Sequence, residues 1–203
     1  MDSNAWDERY AGNELVWSAE PNRFLVAETE PLPPGRALDL ACGEGRNAVW
    51  LAERGWDVTG VDFSNVGLDK ARRLAGGRGV SVHWELADVT EYTPARESFG
   101  LVIVMYLHLP EAARRVAFRH AAVAVAPGGT LLVVGHDITN PSVGWGGPRD
   151  SAVLYGPDDV VADLDGLETV KAERVRRPVE TDDGEKIAID VLVRAMRTPQ
   201  RRP

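Results

Sequence analysis

Cysteine is nearly missing from this sequence: Cys42 is the only one among 203 residues. One thiol cannot form an internal disulfide, and it supplies too few ligands for a structural zinc site. Long apolar runs are missing as well, since the longest, residues 101–109, contains Tyr106 and His108 and falls far short of the ~20 residues that a membrane span needs. The first residues contain neither the basic nor the apolar region of an export signal. These absences predict a cytoplasmic protein without a membrane partner.

Positive charge is also scarce. The 23 Lys and Arg residues against 31 Asp and Glu residues leave a formal net charge of −8, which repels nucleic-acid phosphates and anionic lipids. We therefore expect no nucleic-acid partner. Apolar residues, at 44%, are numerous enough to bury a core, and 203 residues fit one domain of typical size. The composition predicts a single globular domain, a monomer or a homodimer, that is an enzyme or a binding module.

Short apolar runs alternate with helical stretches along residues 36–135. The expected strands are residues 36–40, 56–61, 80–85, 101–105 and 130–135, and the expected helices are residues 46–54, 64–75 and 110–126. Gly76-Gly77 should end the second of these helices, and Pro110 should be the first residue of the third. This alternation is typical of an α/β fold with a doubly wound, mostly parallel sheet.

The C-terminal part has a different pattern. A short helix over residues 157–164 precedes two expected strands, 169–175 and 186–194, which are separated by the turn Thr181-Asp182-Asp183-Gly184 with no helix between them. Strands connected in this way pair antiparallel. The sheet should therefore end in an antiparallel hairpin.

A glycine loop connects the first strand to its helix. Gly43 and Gly45 let the backbone approach a ligand closely, and the N-terminus of the following helix offers unpaired amides. Asp62 lies 17 residues after Gly45, at the end of the second strand, where its carboxylate can accept hydrogen bonds from ribose hydroxyls. The pattern predicts a nucleoside-containing cofactor, either a nicotinamide dinucleotide or a methyl donor.

Asp39 separates these two kinds of cofactor. An acid just before the glycine loop repels a pyrophosphate but attracts the ammonium and sulfonium groups of S-adenosylmethionine. Together with the terminal hairpin, it makes the sequence resemble the class I S-adenosylmethionine-dependent methyltransferases, whose first motif is acid-x-Gly-x-Gly-x-Gly. Here the motif is Asp39-x-Ala41-x-Gly43-x-Gly45, so alanine replaces the first glycine. The resemblance covers residues 36–135 well and the hairpin loosely.

The resemblance implies a seven-stranded sheet, S-adenosylmethionine as the cofactor and a set of contacts to it. Asp62 corresponds to the family's ribose acid, and Ala87-Asp88-Val89 corresponds to its adenine-contacting segment, although Asp88 is equally typical of a turn. The expected cofactor-binding residues are Tyr10, Trp17, Asp39, Ala41, Cys42, Gly43, Gly45, Asn47, Asp62, Phe63, Asp88, Val89 and Met105.

The N-terminal segment resembles the lid of the tellurite-resistance and thiopurine type of small-molecule methyltransferase. Trp6 and Tyr10 are one helical turn apart, Trp17 follows them, and Gly45-Arg46-Asn47 matches that type too. A tryptophan near a desolvated sulfonium contributes a cation–π energy of ~1–2 kcal/mol. We expect Tyr10 and Trp17 to face the ligand, whereas Trp6 is equally consistent with packing.

Three candidate catalytic residues follow the fourth and fifth strands, where open α/β sheets bind their ligands: Tyr106, His108 and His136. His108 is the preferred base, and as a base it should impose a pH dependence near the ordinary histidine pKa of ~6.5. The fourth strand ends without an acid that could join Asp137 and Asn140 in a magnesium site. We therefore expect no metal.

The sequence thus predicts an enzyme that transfers a methyl group from S-adenosylmethionine to a small-molecule acceptor, either a soft sulfur, selenium or tellurium nucleophile or an acidic hydroxyl. An NAD(P)-dependent dehydrogenase and a non-catalytic nucleoside-binding domain are the alternatives. Within a single domain of residues 1–203, we expect a lid segment (1–30), a cofactor-binding core (36–135), an acceptor loop (136–156) and a terminal helix with the hairpin (157–197). The glycine-rich residues 141–149 are equally consistent with a lid over the acceptor and with a surface connection.

Overall fold

The computed structural model describes residues 3–199. Its strands are β1 (Arg36–Leu40), β2 (Asp57–Asp62), β3 (His83–Leu86), β4 (Phe99–Met105), β5 (Val125–His136), β6 (Glu168–Thr181) and β7 (Gly184–Met196). Its helices are α1 (Ser3–Tyr10), α2 (Arg23–Thr29), α3 (Arg46–Glu53), α4 (Asn65–Arg78), α5 (Glu111–Ala124), α6 (Asn140–Val143) and α7 (Pro157–Ala162), with a 3₁₀ turn at Ser151–Val153. The strands form one sheet in the order β3-β2-β1-β4-β5-β7-β6.

Strands β1 to β5 run parallel to one another, and β7 pairs antiparallel with both β5 and β6. This arrangement confirms the predicted α/β fold with its terminal hairpin. The direction of strand succession reverses between β1 and β4. In doubly wound sheets, ligands bind at such a reversal, next to the carboxyl ends of the strands.

Helices cover both faces of the sheet. On one face, Phe118 of α5 shares a core with Val102 of β4. On the other face, Leu25 of α2 and Leu51 of α3 share a core with Ile103. Consecutive residues of β4 point to opposite faces, and both faces are covered, so this strand is almost entirely apolar, as the sequence predicted.

Two expected helix boundaries are wrong. Helix α4 continues through Gly76 and Gly77, next to which the structure has open space, and its C-cap is Gly79 with a φ of 69°. A glycine inside a helix costs only ~1 kcal/mol, whereas the left-handed conformation at Gly79 lets its amide bond to a terminal carbonyl of the helix. Pro110 is the N-cap of α5 and not its first residue.

The hairpin is longer than the sequence predicted. Its paired residues extend from Thr181 and Gly184 at the turn to Glu168 and Met196 at the far end, because the antiparallel ladder continues through polar residues that carry no apolar pattern. In the described part of the chain, none of the helices combines the length and the apolarity needed to cross a membrane.

Candidate active site

The glycine loop lies against the carboxyl end of β2, as predicted. Asp62, the last residue of β2, accepts hydrogen bonds from the amides of Gly43 (2.7 Å) and Ser64 (2.9 Å). Burial raises the pKa of this carboxyl above its usual range, although the amides oppose the shift. Asp62 thus fastens the loop to the sheet, and the free lone pairs of its oxygens can still accept hydrogen bonds from a ligand.

Asp39 lies one strand away, in β1, and is completely buried. Neither of its carboxylate oxygens has a hydrogen-bond partner of ordinary geometry within residues 3–199. Burial and then the charge of Asp62 raise the pKa of Asp39 to about 8, although the Ala48 amide and Arg46 oppose the shift. A buried carboxyl without a partner either keeps its proton or needs a cation, so Asp39 is suited to pair with a cationic ligand.

The glycine loop has a left-handed backbone at three positions. The φ angles are 60° at Ala41, 53° at Gly43 and 78° at Gly45. Alanine at the position of the family's first glycine therefore carries a strain of ~1–2 kcal/mol. Between these residues, burial and the charge of Asp39 raise the pKa of the Cys42 thiol, which keeps it protonated and unreactive.

Gly45 is needed for close packing as well as for the left-handed backbone of the loop. A Cβ on Gly45 would lie 2.6 Å from the Trp84 ring and 2.7 Å from the Ala71 Cβ. The Trp84 ring also lies 2.6 Å from the position of a Cβ on Gly60, its partner in β2. The sequence analysis missed Trp84, although a large aromatic residue opposite a glycine in the neighbouring strand was a usable signal.

Helix α1 covers the glycine loop. Tyr10 is buried, with its hydroxyl oxygen 2.8 Å from the position of a Cβ on Gly43. Burial and the nearby Asp62 raise the pKa of Tyr10, so its phenol keeps its proton. The Trp6 ring packs on Tyr10 with a centroid distance of 5.3 Å. Tyr10 therefore contacts the glycine loop, and its contact with a ligand stays a prediction.

Glu44, in the middle of the glycine loop, holds the segment that follows α1. Its carboxylate accepts hydrogen bonds from the amides of Val16 (3.0 Å) and Trp17 (3.1 Å) and forms a buried ion pair with Lys70 (3.0 Å). Lys70 also donates to the Glu14 carbonyl oxygen. The sequence analysis missed Glu44 and Lys70, because their pairing depends on how α4 packs beside the loop.

Trp17 itself is 41% exposed. The guanidinium of Arg9 lies 5.1 Å from the centroids of both the Trp6 and the Trp17 rings. The ligand-facing role of Trp17 therefore stays a prediction.

Asn47 has a partner within the protein. Its Oδ1 accepts a hydrogen bond from the Asn22 amide (2.9 Å), and Asn22 in turn caps α2 by accepting from the Phe24 amide (2.8 Å). The Asn47 side chain thus ties the start of α2 to α3. The predicted contact of Asn47 with the cofactor stays a prediction.

The predicted adenine side lies after β2 and β3. Phe63 follows Asp62 and is half-buried, and the Ala87 amide donates to the Asp62 carbonyl (3.0 Å). Asp88 is exposed, and its Oδ1 accepts hydrogen bonds from the amide (2.8 Å) and the hydroxyl (2.7 Å) of Thr90. Asp88 is thus a turn former, and Val89 beside it is buried. Contacts to adenine there stay a prediction.

Asp190 is the centre of a polar cluster at the carboxyl ends of β4 and β5, beyond the buried Met105. This carboxylate in β7 is fully buried and accepts hydrogen bonds from the Tyr106 hydroxyl (2.7 Å) and from Arg177 Nε (2.6 Å). His136 Nδ1 lies 3.1 Å from its other oxygen, without hydrogen-bond alignment. Burial would raise the pKa of Asp190, but His136 and Arg177 outweigh burial and lower it.

His108 joins this cluster. Its ring stacks on His136 at a centroid distance of 5.4 Å, and its Nδ1 lies 3.3 Å from the Val153 carbonyl. A carbonyl can only accept, so Nδ1 carries the proton of the neutral ring. The buried Nε2 has no partner in the described residues. Burial and the neighbouring His136 lower the pKa of His108 to about 4, so its ring is neutral at pH 7.

The predicted candidate residues Tyr106, His108 and His136 therefore lie together. Tyr106 directly follows β4 and has a φ of 58°. The sequence analysis missed Asp190 and Arg177, which complete the cluster. An acid inside the otherwise apolar residues 187–193 was a usable signal for Asp190. Its partners could not be predicted, because Tyr106 follows β4 and Arg177 lies in β6, and the sequence pattern does not give the register of these strands against β7.

The glycine-rich segment after β5 is attached to this cluster. Asn140 accepts a hydrogen bond from the Ile189 amide (2.7 Å) and donates one to the Gly146 carbonyl (2.7 Å). A Cβ on Gly147 would lie 2.5 Å from the His136 ring. Gly147 therefore lies against the His136 ring, and Trp145 is 45% exposed.

Residues 37–129 match the family described as a methyltransferase domain. This stretch, a little under half of the chain, is similar to methyltransferase domains. Trans-aconitate 2-methyltransferase of Sinorhizobium medicae is 35% identical over 133 residues, which are 59% of this chain and 49% of the relative. The chain spans about half the length of the curated relatives that it matches.

Solved structures share the fold of this chain. The N-methyltransferase NodS of Bradyrhizobium japonicum, in complex with S-adenosyl-l-homocysteine, has a TM-score of 0.73 at 21% identity and covers 98% of each chain. TehB of Haemophilus influenzae has a TM-score of 0.72 at 15% identity, over 97% of this chain and 67% of TehB. The predicted seven-stranded methyltransferase fold is confirmed.

Proposed function

We propose that this protein transfers a methyl group from S-adenosylmethionine to a small-molecule acceptor. The observation that carries the proposal is the pair of buried carboxyl groups, Asp39 and Asp62, around the glycine loop. A pyrophosphate would raise the pKa of Asp39 further and be repelled by the ionised form, whereas ammonium and sulfonium groups would lower that pKa and pair with the carboxylate. This charge pattern favours a methyl donor over a nicotinamide dinucleotide.

The residues around the loop fit the parts of this cofactor. Asp62 would accept hydrogen bonds from the ribose hydroxyls, and Asp39 would pair with the cationic amino-acid part. Tyr10 would cover the ligand from α1. The remaining predicted contacts lie in the N-terminal segment, in the glycine loop, at the start of α3 and at the ends of β2, β3 and β4; they are Trp17, Ala41, Cys42, Gly43, Gly45, Asn47, Phe63, Asp88, Val89 and Met105.

The acceptor would bind at the carboxyl ends of β4 and β5. When bound, S-adenosylmethionine supplies a methyl carbon that its sulfonium group activates. The protein has to align the nucleophile and exclude water, which contributes ~7–11 kcal/mol to catalysis of such reactions. His108, Tyr106 and His136 would contact the acceptor, with residues 141–149 above them as a lid.

The state of His108 limits the type of acceptor. Its unprotonated Nε2 can accept a hydrogen bond or a proton from the acceptor. With a pKa of about 4, however, it is a weak base. The acceptor is therefore a nucleophile that ionises readily, such as a thiol or another soft nucleophile, or an acidic hydroxyl. No metal and no nucleic acid takes part.

The parts of the domain divide this work. Residues 1–30 would act as the lid on the cofactor, 36–135 as its binding core, 136–156 as the acceptor loop and 157–197 as the helix and hairpin that close the acceptor side. The protein would work in the cytoplasm as a monomer or a homodimer.

Calorimetry and turnover test the proposal. We expect the protein to bind S-adenosylhomocysteine but not NAD, and Asp62→Asn to weaken that binding by ~1.5–3 kcal/mol because a charge-assisted hydrogen bond is lost. Asp57→Asn, at the exposed start of the same strand, is the matched control. Turnover is then measured with thiols, phenols and tellurite. Binding of NAD instead would identify a dehydrogenase, and cofactor binding without any turnover would favour a non-catalytic domain.

A further inference from the structure

Arg46, the first residue of α3, carries a charge that its surroundings leave unpaired. Its side chain is half-buried. Within residues 3–199 the guanidinium makes no hydrogen bond or ion pair, and its electrostatic neighbours include Tyr106, Arg177, Asp39 and Glu44. Burial lowers the pKa of Arg46, and Arg177 adds to this effect, yet an arginine stays protonated at any pH relevant here.

Each charged neighbour of Arg46 is already neutralised. Glu44 pairs with Lys70 at 3.0 Å, and Arg177 pairs with Asp190 at 2.6 Å. Asp39 holds its proton at neutral pH, because its pKa is about 8. One positive charge therefore remains at Arg46. Part of this guanidinium is shielded from water, and an anion bound to it would compensate for the lost hydration.

The position of this charge is next to the proposed acceptor site. Arg46 has Tyr106 and Arg177 as neighbours, and the Arg177 guanidinium lies 5.6 Å from the centroid of the Tyr106 ring. Tyr106 directly follows β4 and contacts His136 at a centroid distance of 5.0 Å. The side chains of Arg46, Arg177, Tyr106 and His136 thus lie at the same edge of the sheet.

We infer that Arg46, with Arg177 beside it, binds an anionic group of the methyl acceptor, and that this group is a carboxylate. The planar guanidinium can donate two parallel hydrogen bonds to a carboxylate, a geometry that a neutral acceptor cannot match. The inference rests on the proposed function and names its acceptor class: a small molecule with a nucleophilic sulfur or acidic hydroxyl and one carboxylate. The cofactor's own carboxylate is the other source of the same chemistry.

Two pairs of probes separate charge from shape. The first pair is 4-hydroxybenzoate and 4-hydroxybenzamide, and the second is 4-mercaptobenzoate and 4-mercaptobenzamide. Each is titrated into the protein saturated with S-adenosylhomocysteine. We expect the carboxylate of each pair to bind about tenfold to a hundredfold more tightly than the amide, as for a charge-assisted hydrogen bond.

Variants then test whether Arg46 causes the tighter binding of the carboxylate probes. Arg46→Gln should abolish the difference between carboxylate and amide. Arg46→Lys keeps the charge but cannot donate two parallel hydrogen bonds, so it should retain only part of the difference. Arg176→Gln removes the same charge from an exposed position of β6 and should leave the difference unchanged. Circular dichroism confirms that each variant is folded, and the same calorimetry gives its affinity for S-adenosylhomocysteine.

The outcomes distinguish the two sources of carboxylate. If Arg46→Gln weakens binding of S-adenosylhomocysteine and leaves the ratio of carboxylate to amide affinity unchanged, Arg46 holds the cofactor and the inference is wrong. A ratio near one in the wild type, or no binding of either carboxylate, also overturns it. If the wild type does not bind S-adenosylhomocysteine, the proposed function fails, and titration of the free protein with the same probes decides the anion site separately.

Discussion

The Glu44 carboxylate accepts a hydrogen bond from the Trp17 amide at 3.1 Å, and so ties the N-terminal segment to the middle of the glycine loop. Both Glu44 and its partner Lys70 are buried. The loop proposed to hold the cofactor and the segment proposed to cover it are therefore joined by one side chain. A shift of the loop would change the position of the covering segment.

Replacing Glu44 should destabilise the protein. Glu44→Ala leaves the buried Lys70 ammonium without its ion-pair partner, which typically costs ~3–5 kcal/mol. Chemical denaturation measures the loss, and limited proteolysis should cut the chain near residues 11–18 faster than in the wild type. The double variant Glu44→Ala with Lys70→Met has no unpaired charge and should lose less. An unfolding free energy of Glu44→Ala equal to that of the wild type would show that the ion pair does not stabilise the fold.

Asp39→Asn should raise stability in a pH-dependent way. The unfolded chain ionises this carboxyl near its usual pKa of ~4, whereas the folded protein holds the proton until about pH 8, so the wild type loses stability as the pH rises through this window. The variant has no such proton. Its advantage in unfolding free energy should therefore grow from pH 5 to pH 8, and the exposed Asp57→Asn should show no such trend.

The same carboxyl should make cofactor binding depend on pH. If the ionised Asp39 pairs with the cationic part of S-adenosylmethionine, affinity should rise by up to about tenfold per pH unit between pH 6 and pH 8. Asp39→Asn should bind weakly, with no such slope. Calorimetry at several pH values measures both, and an equal slope in the wild type and the variant would remove Asp39 from the binding site.

Ala41→Gly should stabilise the protein by about 1 kcal/mol. The φ of 60° at Ala41 is strained for an alanine and free of strain for a glycine, although the more flexible unfolded chain offsets part of the gain. Ala37→Gly, in strand β1, makes the same change at a buried position without left-handed backbone and should destabilise. Denaturation curves of the two variants should shift in opposite directions.

Gly45→Val should impair folding as well as cofactor binding. The new side chain would overlap with Trp84 and Ala71, and the left-handed φ of 78° is unfavourable for a β-branched residue. Thermal melting should show a large loss of stability. Gly76→Ala, which lies in α4 with open space around it, should instead gain up to ~1 kcal/mol. A Gly45→Val variant that melts like the wild type would contradict this packing role.

His108→Ala tests the proposed base. The structure corrects the sequence-based pH expectation, because a pKa of about 4 moves the acidic limb of the rate profile from ~6.5 to about pH 4. With an acceptor that keeps its proton, the variant should lose kcat by ~10²–10⁴-fold, and with a thiolate it should change mainly KM. The exposed His83→Ala is the control. A limb near pH 6.5 that His108→Ala removes would contradict the low pKa of His108, and a limb that the variant keeps would exclude His108 as its source.

The sequence by itself determined the order of strands and helices, the glycine loop, the acid Asp62 and the terminal hairpin. These features depend on residues that are close along the chain: an apolar run, a cap such as Ser64, or a pair of glycines. It also placed Tyr106, His108 and His136 at one edge of the sheet, since the carboxyl ends of parallel strands meet there.

Only the tertiary structure decided which charges have partners. Glu44 meets Lys70, and Asp190 meets Tyr106 and Arg177, across 26, 84 and 13 residues of the chain respectively. Such pairs depend on the register and the twist of strands, which no periodic pattern encodes. The low pKa of His108 and the high pKa of Asp39 follow from burial, and the unpaired charge of Arg46 follows from the pairing of its neighbours. Burial and pairing exist only once the chain has folded.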